Sequence, residues 1–162
     1  MYPILYLKEC KTPIQAFFDV DGAYLILTHE NQLTLMEDRC AHLNIPLSEG
    51  WVEDGVLVCP WHQWKYDRSG QCIFPKAARE KCIHAENLLV ENDIIWKRSQ
   101  FSVAYWSSDI IECSYLDVQF PAVADVLWRV TGMGSKSRIW CGANSQDLAQ
   151  EQLNLLCITR ST

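Results

Sequence analysis

Long apolar runs are missing from this sequence. No stretch reaches the roughly 18–20 residues that a bilayer-spanning helix needs. The short apolar segment at the start is broken by Pro3 and Lys8, unlike the charged-then-apolar pattern of a secretory signal. The expectation is a soluble, cytoplasmic chain without a membrane partner. Basic residues are also short: 14 Lys and Arg stand against 20 Asp and Glu, for a net charge of −6. Phosphates need Lys and Arg to neutralise them, which argues against nucleic acid as a partner. An acidic chain can steer a basic protein partner instead. Internal repeats and low-complexity tracts are absent. Histidine is scarce, with four in 162 residues and none after His84.

Apolar residues, by contrast, make up 49% of the chain, enough to bury a core. Residues up to Arg98 read as many short strands: 13–20, 23–28, 32–37, 55–58, 64–66, 88–90 and 94–96. Asp21-Gly22, Glu30-Asn31, Arg68-Ser69-Gly70 and Glu91-Asn92-Asp93 punctuate them as turns. Strands this short and close predict a compact antiparallel β-barrel or sandwich. Residues 99–162 differ, so the division expected is 1–98 and 99–162. In the second part, 110–120 leans to strand, and 121–130 has helix-compatible spacing behind Pro121. A Gly/Ser/Lys loop is expected over 131–137, strands over 138–141 and 153–159, and a turn of helix at 145–150. The fold class is thus mainly β, α+β overall, with a C-terminal α+β extension.

Eight cysteines are many for a cytoplasmic chain. Two of them fall in a pattern: Cys40-Ala41-His42, then sixteen residues, then Cys59-Pro60-Trp61-His62. Each short pair supplies one sulfur and one nitrogen from a tight loop. Two such loops meeting could clamp a two-iron centre. A Cys2His2 zinc site accepts the same donors, although zinc sites usually separate paired cysteines from paired histidines. Scattered core thiols and histidines are the remaining reading. Cys10, Cys72, Cys82, Cys113, Cys141 and Cys157 are expected as reduced thiols, with Cys72 structural. His29 and His84 lack Cys spacing and are given no role.

The same residues resemble the Rieske [2Fe–2S] family, closest to the N-terminal domain of Rieske non-haem iron oxygenases. Asp38-Arg39-Cys40-Ala41-His42 with Pro46–Gly50 is similar to the first cluster loop. Leu57–His62 with Trp64, Tyr66-Asp67, Gly70 and Cys72 is similar to the second. Pro75 matches a covering proline loop, and Tyr2-Pro3-Ile4 and 94–97 match the two ends of the domain. The resemblance implies one [2Fe–2S] cluster, with Cys40 and Cys59 on one iron and His42 and His62 on the other. It implies that the imidazoles form an exposed electron port. Trp61 and Trp64 are expected to pack over the cluster, with ordinary core or rim packing as the alternative to a part in the electron path. The chain departs from the family pattern at Gln63, where Gly is frequent, and at Leu43, where oxygenases often have Arg.

Ile45 and Trp61 stand where high-potential relatives carry a disulfide, and Trp64 stands where they carry a serine beside the cluster. Fewer donors to the sulfurs imply a potential near the low end of the family, on the order of −150 mV. Imidazole in place of thiolate still holds it above that of an all-Cys cluster.

Full-length oxygenases of the family add a mononuclear iron held by two histidines and a carboxylate. Residues 99–162 contain no histidine and cannot supply them. Two functions follow. One is a ferredoxin-like carrier between a reductase and a terminal oxygenase. The other is an oxygenase-related subunit whose partner holds the mononuclear iron. Residues 99–162 are then either a shortened catalytic-domain remnant, since 153–160 faintly resembles a late strand of that domain, or a lineage-specific α+β extension that completes a core or an interface. Whether the chain is itself an enzyme, or self-associates, stays open. A redox-sensor role has no feature beyond the cluster in its favour.

Overall fold

The computed structural model describes all residues except 20, 100–102, 112–119, 121–124, 134–135 and 161–162, and leaves out the side chains of 133 and 157–160. Its strands are β1 (Tyr2–Tyr6), β2 (Ile14–Asp19), β3 (Gly22–His29), β4 (Gln32–Glu37), β5 (Trp51–Glu53), β6 (Val56–Val58), β7 (Lys65–Tyr66), β8 (Cys72–Phe74), β9 (Ala85–Asn87), β10 (Leu89–Glu91), β11 (Ile94–Lys97), β12 (Tyr105–Ile111), β13 (Val126–Met133) and β14 (Lys136–Ala143). One α-helix, α1 (Gln146–Arg160), follows them. No helix among the described residues is long and apolar enough to cross a membrane. The chain forms two compact units. One is Tyr6–Phe17 with Gly22–Ile95; the other is Met1–Leu5, Phe18–Asp21 and Trp96–Thr162.

The first unit is a sandwich. The strands β2, β3, β4 and β9 pair side by side, and β5, β6, β7 and β8 form a separate antiparallel sheet. Leu25, Leu27 and Met36 from one sheet meet Leu57, Tyr66 and Cys72 from the other in one buried cluster. Each fully buried leucine there contributes about 1.5–3 kcal/mol. Both sheets stay open, so the sandwich describes this unit and a closed barrel does not. Its hairpins are set by residues that tolerate the left-handed region. Glu30 and Asn31 lie at φ 48° and 61°, which suits the tight turn between β3 and β4.

In the second unit β12 and β13 flank β14, antiparallel on both sides, and α1 packs on β12 and β14. Val126, Ile139, Cys141 and Ala143 meet Ala149, Leu153 and Leu156 of the helix.

Three expectations for this region are corrected. Of 121–130, residues 121–124 lie outside the described residues, and from Val126 the chain is strand, not helix. Val126, Trp128 and Val130 repeat every second residue, and β-branched side chains favour that reading. The loop expected over 131–137 is mostly strand, because Thr131 and Gly132 pair with Arg138 and Ser137. The strand expected over 153–159 is helix. Ala149, Leu153 and Leu156 share one helical face, which shows only in a window longer than the apolar run itself. The turn of helix expected at 145–150 is the start of α1, where Ser145 Oγ caps it by accepting the Leu148 N–H at 3.1 Å. The run expected over 110–120 is strand to Ile111 within a β12 that begins earlier, and 112–119 lie outside the described residues.

The two loops that carry the Cys/His pairs close in the same way. In the first, Cys40 N–H donates to Ile45 O (2.8 Å) and Asn44 N–H donates to Cys40 O (2.8 Å). In the second, Cys59 N–H donates to Trp64 O (2.9 Å) and Gln63 N–H donates to Cys59 O (3.2 Å). Each turn needs one left-handed residue four places after its cysteine: Asn44 at φ 56° and Gln63 at φ 54°. Gly50 packs the first loop onto the second, since a Cβ there would run into the Val58 carbonyl beside Cys59. The Gly that the resemblance leads one to expect at position 63 is therefore a backbone requirement, which Gln63 meets under strain. Gln63→Gly is expected to raise the unfolding free energy by up to about 1 kcal/mol. That would be read as a higher urea midpoint at unchanged slope; a lower midpoint would show that Gln63 holds the loop by its side chain.

Candidate metal centre

The two cysteines of the motif come together in the core. Cys59 leaves β6 directly, and Cys40 follows β4 through a loop pinned by Asp38, whose carboxylate accepts Ser48 N–H (2.7 Å) and Ser48 Oγ–H (2.6 Å). Both cysteines are 1% exposed. The Cys59 thiol lies within hydrogen-bonding reach of the Cys40 thiol. Burial pushes the Cys59 thiol up from its ordinary value, and the neighbouring Cys40 adds to that; the N–H groups of Trp61 and His62 pull the other way. Two thiolates so placed need a cation between them.

Tyr66 ties the loops to each other. Its hydroxyl lies 3.2 Å from Cys40 Sγ and accepts the Ala41 N–H at 3.0 Å. Burial first, and the Cys40 contact second, hold this phenol well above its ordinary range, so it stays a donor. Once Cys40 is a thiolate, Tyr66 donates to it. Reading from residues alone did not single Tyr66 out as a sulfur partner. The signal that was available is its position at the buried end of β7, where Tyr66 faces Leu57 across the sheet and packs with Cys40 and Cys59.

The two histidines come together as well, at the surface. His42 and His62 are exposed, with ring centroids 4.8 Å apart and planes at 68°. Trp64 lies flat on His42, at 4.6 Å and 3°. Trp61 stands edge-on to His62 at 6.2 Å and is 63% exposed, so it rims the site instead of covering it; Leu43 is 52% exposed.

The donor set fits a two-metal centre. Sulfurs pair on the buried side and imidazoles pair on the exposed side, a split of donors that a centre of two metals would use. A zinc site needs its donors round one point. Among the described residues no three His, Cys, Asp or Glu groups converge on one ion position. Of the other cysteines, Cys10, Cys72, Cys82 and Cys141 are free of disulfides; Cys113 and the Cys157 side chain lie outside the described residues. Cys72 is buried in the same core, and its Sγ–H donates to Phe74 O at 3.2 Å. His29 and His84 lie 3.8 and 3.9 Å from Glu30 and Glu86 carboxylates.

Comparison with known proteins agrees with this geometry. Over 41 residues the chain is 54% identical to the 4β-methylsterol monooxygenase of Methylococcus capsulatus, covering 25% of this chain and 11% of that one. Across the curated relatives it spans between 11% and 26% of their length. Among solved structures, dicamba monooxygenase matches with a TM-score of 0.61 at 12% identity, over 96% of this chain and 79% of that chain. The ferredoxin of Sphingomonas yanoikuyae B1 matches with a TM-score of 0.50 at 15% identity, over 58% of this chain and 93% of that chain. At such identities the structures share the fold. The family model of the Rieske [2Fe-2S] domain matches residues 1–129. With its two loops closed alike around buried sulfurs and exposed imidazoles, this chain belongs to the Rieske family, and its cofactor is a Rieske-type [2Fe–2S] cluster.

Proposed function

We propose that this chain carries single electrons as a ferredoxin-like component of an oxygenase system. In this reading Cys40 and Cys59 hold one iron of the cluster, and His42 and His62 hold the other. The observation that carries the proposal is the polarity of the site, with thiols in the core and imidazoles in solvent. When bound, the cluster supplies a one-electron couple. The protein sets its potential and its access. Tyr66 O–H and the N–H groups of Trp61 and His62 point at the sulfurs and favour the reduced, more negative form. Trp64 occupies the place of a second hydroxyl donor. The hydroxyl shell is therefore half-filled, which keeps the potential toward the low end of the family.

The exposed imidazoles form the electron port. Around them, residues 41–46 and 60–64 contain no charged side chain, and Leu43 and Trp61 are the most exposed large apolar groups among the described residues. Such a tip docks by burying apolar surface, not by ion pairing. The partner is a redox protein, a reductase or a terminal oxygenase, and the compartment is the cytoplasm.

A second reading is favoured by one observation: the likeness to dicamba monooxygenase extends over 96% of this chain, well past residue 98. Residues 1–98 would then be the cluster domain. Residues 99–162 would be a shortened catalytic domain within an assembly whose partner subunit holds the mononuclear iron. Gel filtration with iron counting separates the two. Two irons in a monomer support the carrier. A stable oligomer, or a co-purifying iron protein, supports the subunit.

Three further outcomes are expected. Tyr66→Phe removes the sulfur donor and lowers the reduction potential, measured by redox titration; an unchanged potential would mean that the hydroxyl does not reach the cluster. Trp61→Glu slows electron transfer to the partner about tenfold, the size of a lost aromatic anchor, without moving the potential. The wild-type rate depends weakly on salt, and a steep loss of rate with salt would contradict an uncharged docking tip.

A further inference from the structure

Trp64 belongs to the second loop, yet its ring lies on a histidine of the first. Its backbone is fixed, because Trp64 O accepts the Cys59 N–H at 2.9 Å. Its side chain is half-buried and packs against the core that holds Cys40, Cys59 and Tyr66. From that anchored position the indole covers one face of His42 at 4.6 Å between centroids and 3° between planes. His62 has no such partner among the described rings: its neighbours Trp61 and His42 both meet it edge-on, at 63° and 68°. The two imidazoles are therefore held unequally.

We propose that Trp64 is a positioning residue for His42: it fixes the plane of that imidazole and lowers the reduction potential through it. The inference rests on the cluster reading above. A ring whose nitrogen holds iron turns about that bond unless something blocks one face, and a stacked indole blocks it. The indole face is electron-rich and attracts an imidazole made positive by ferric iron. The attraction is stronger in the oxidised state, so it lowers the potential. The indole also keeps water off that face, and water would favour the reduced, more negative form. Both effects act in the same direction. Trp64 thus does more than occupy the place of a hydroxyl donor.

The test uses the cluster-loaded protein labelled with [15N]histidine, in the wild-type, Trp64→Leu and Trp64→Phe forms. Redox titration gives the potential, and pulsed EPR gives the coupling of each histidine nitrogen. Trp64→Leu is expected to raise the potential and change the coupling of one nitrogen while the other stays at its wild-type value. Trp64→Phe keeps a flat but smaller face and is expected to shift the potential the same way by less. A Trp64→Leu protein with wild-type potential and couplings overturns the proposal. So does an equal change at both nitrogens, which would mark general loosening. If Trp64→Leu does not retain the cluster, Trp64→Phe decides alone: a raised potential with one altered coupling upholds the proposal, and any other result overturns it. A wild-type protein without two coupled nitrogens would fail the ligand reading instead, which keeps the two failures apart.

Discussion

Two cysteine sulfurs side by side in a dry core set the terms for this structure. Burial opposes the ionisation of Cys59, and the neighbouring Cys40 adds to that. A pair of thiolates there is stable only with a cation in their grip, and in the proposed reading one iron of the cluster would take that place. The surrounding groups serve the same end. Tyr66 and the N–H groups of Trp61 and His62 spread the sulfur charge over fixed dipoles. The sulfurs face inward, and the imidazoles of His42 and His62 lie at the surface.

That inside-to-outside gradient links chemistry to function. Electron transfer needs no acid or base at the site. It needs a couple held rigidly enough that little rearranges when charge changes, and close enough to the surface for a partner to reach. Rigidity comes from two loops that repeat one backbone design, each locked by a left-handed residue and tied across by Tyr66 and Trp64. In the proposed reading, reach comes from His42 and His62, rimmed by Leu43 and Trp61. The lack of charged side chains in residues 41–46 and 60–64 is a property of this chain, because Leu43 stands where oxygenases of the family often have Arg.

The Cys/His motif and the mainly β fold were legible in the sequence, for physical reasons. Ligand chemistry restricts residue type and spacing tightly, and turn residues such as Glu30-Asn31 mark strand ends. The Gln63 departure was visible as an anomaly, but its meaning needed the φ angle. Tyr66 was visible only as part of a motif, since its role depends on a contact across 26 positions in sequence. The second unit was the least legible. Val126, Trp128 and Val130 fit a two-residue period and a loose helical one alike, and Leu153–Ile158 shows its helical period only when Ala149 is included. Packing decided both, against local pattern.

The central claim is asymmetric ligation: two sulfurs on one iron and two imidazole nitrogens on the other. Pulsed EPR of the reduced, anaerobically purified protein, uniformly labelled with 15N, tests it most directly. A low average g value and two strongly coupled histidine nitrogens are expected, with one lost in a His62→Cys protein that keeps its cluster at a lower potential. A colourless zinc protein, or a reduced cluster without any coupled histidine nitrogen, would contradict it.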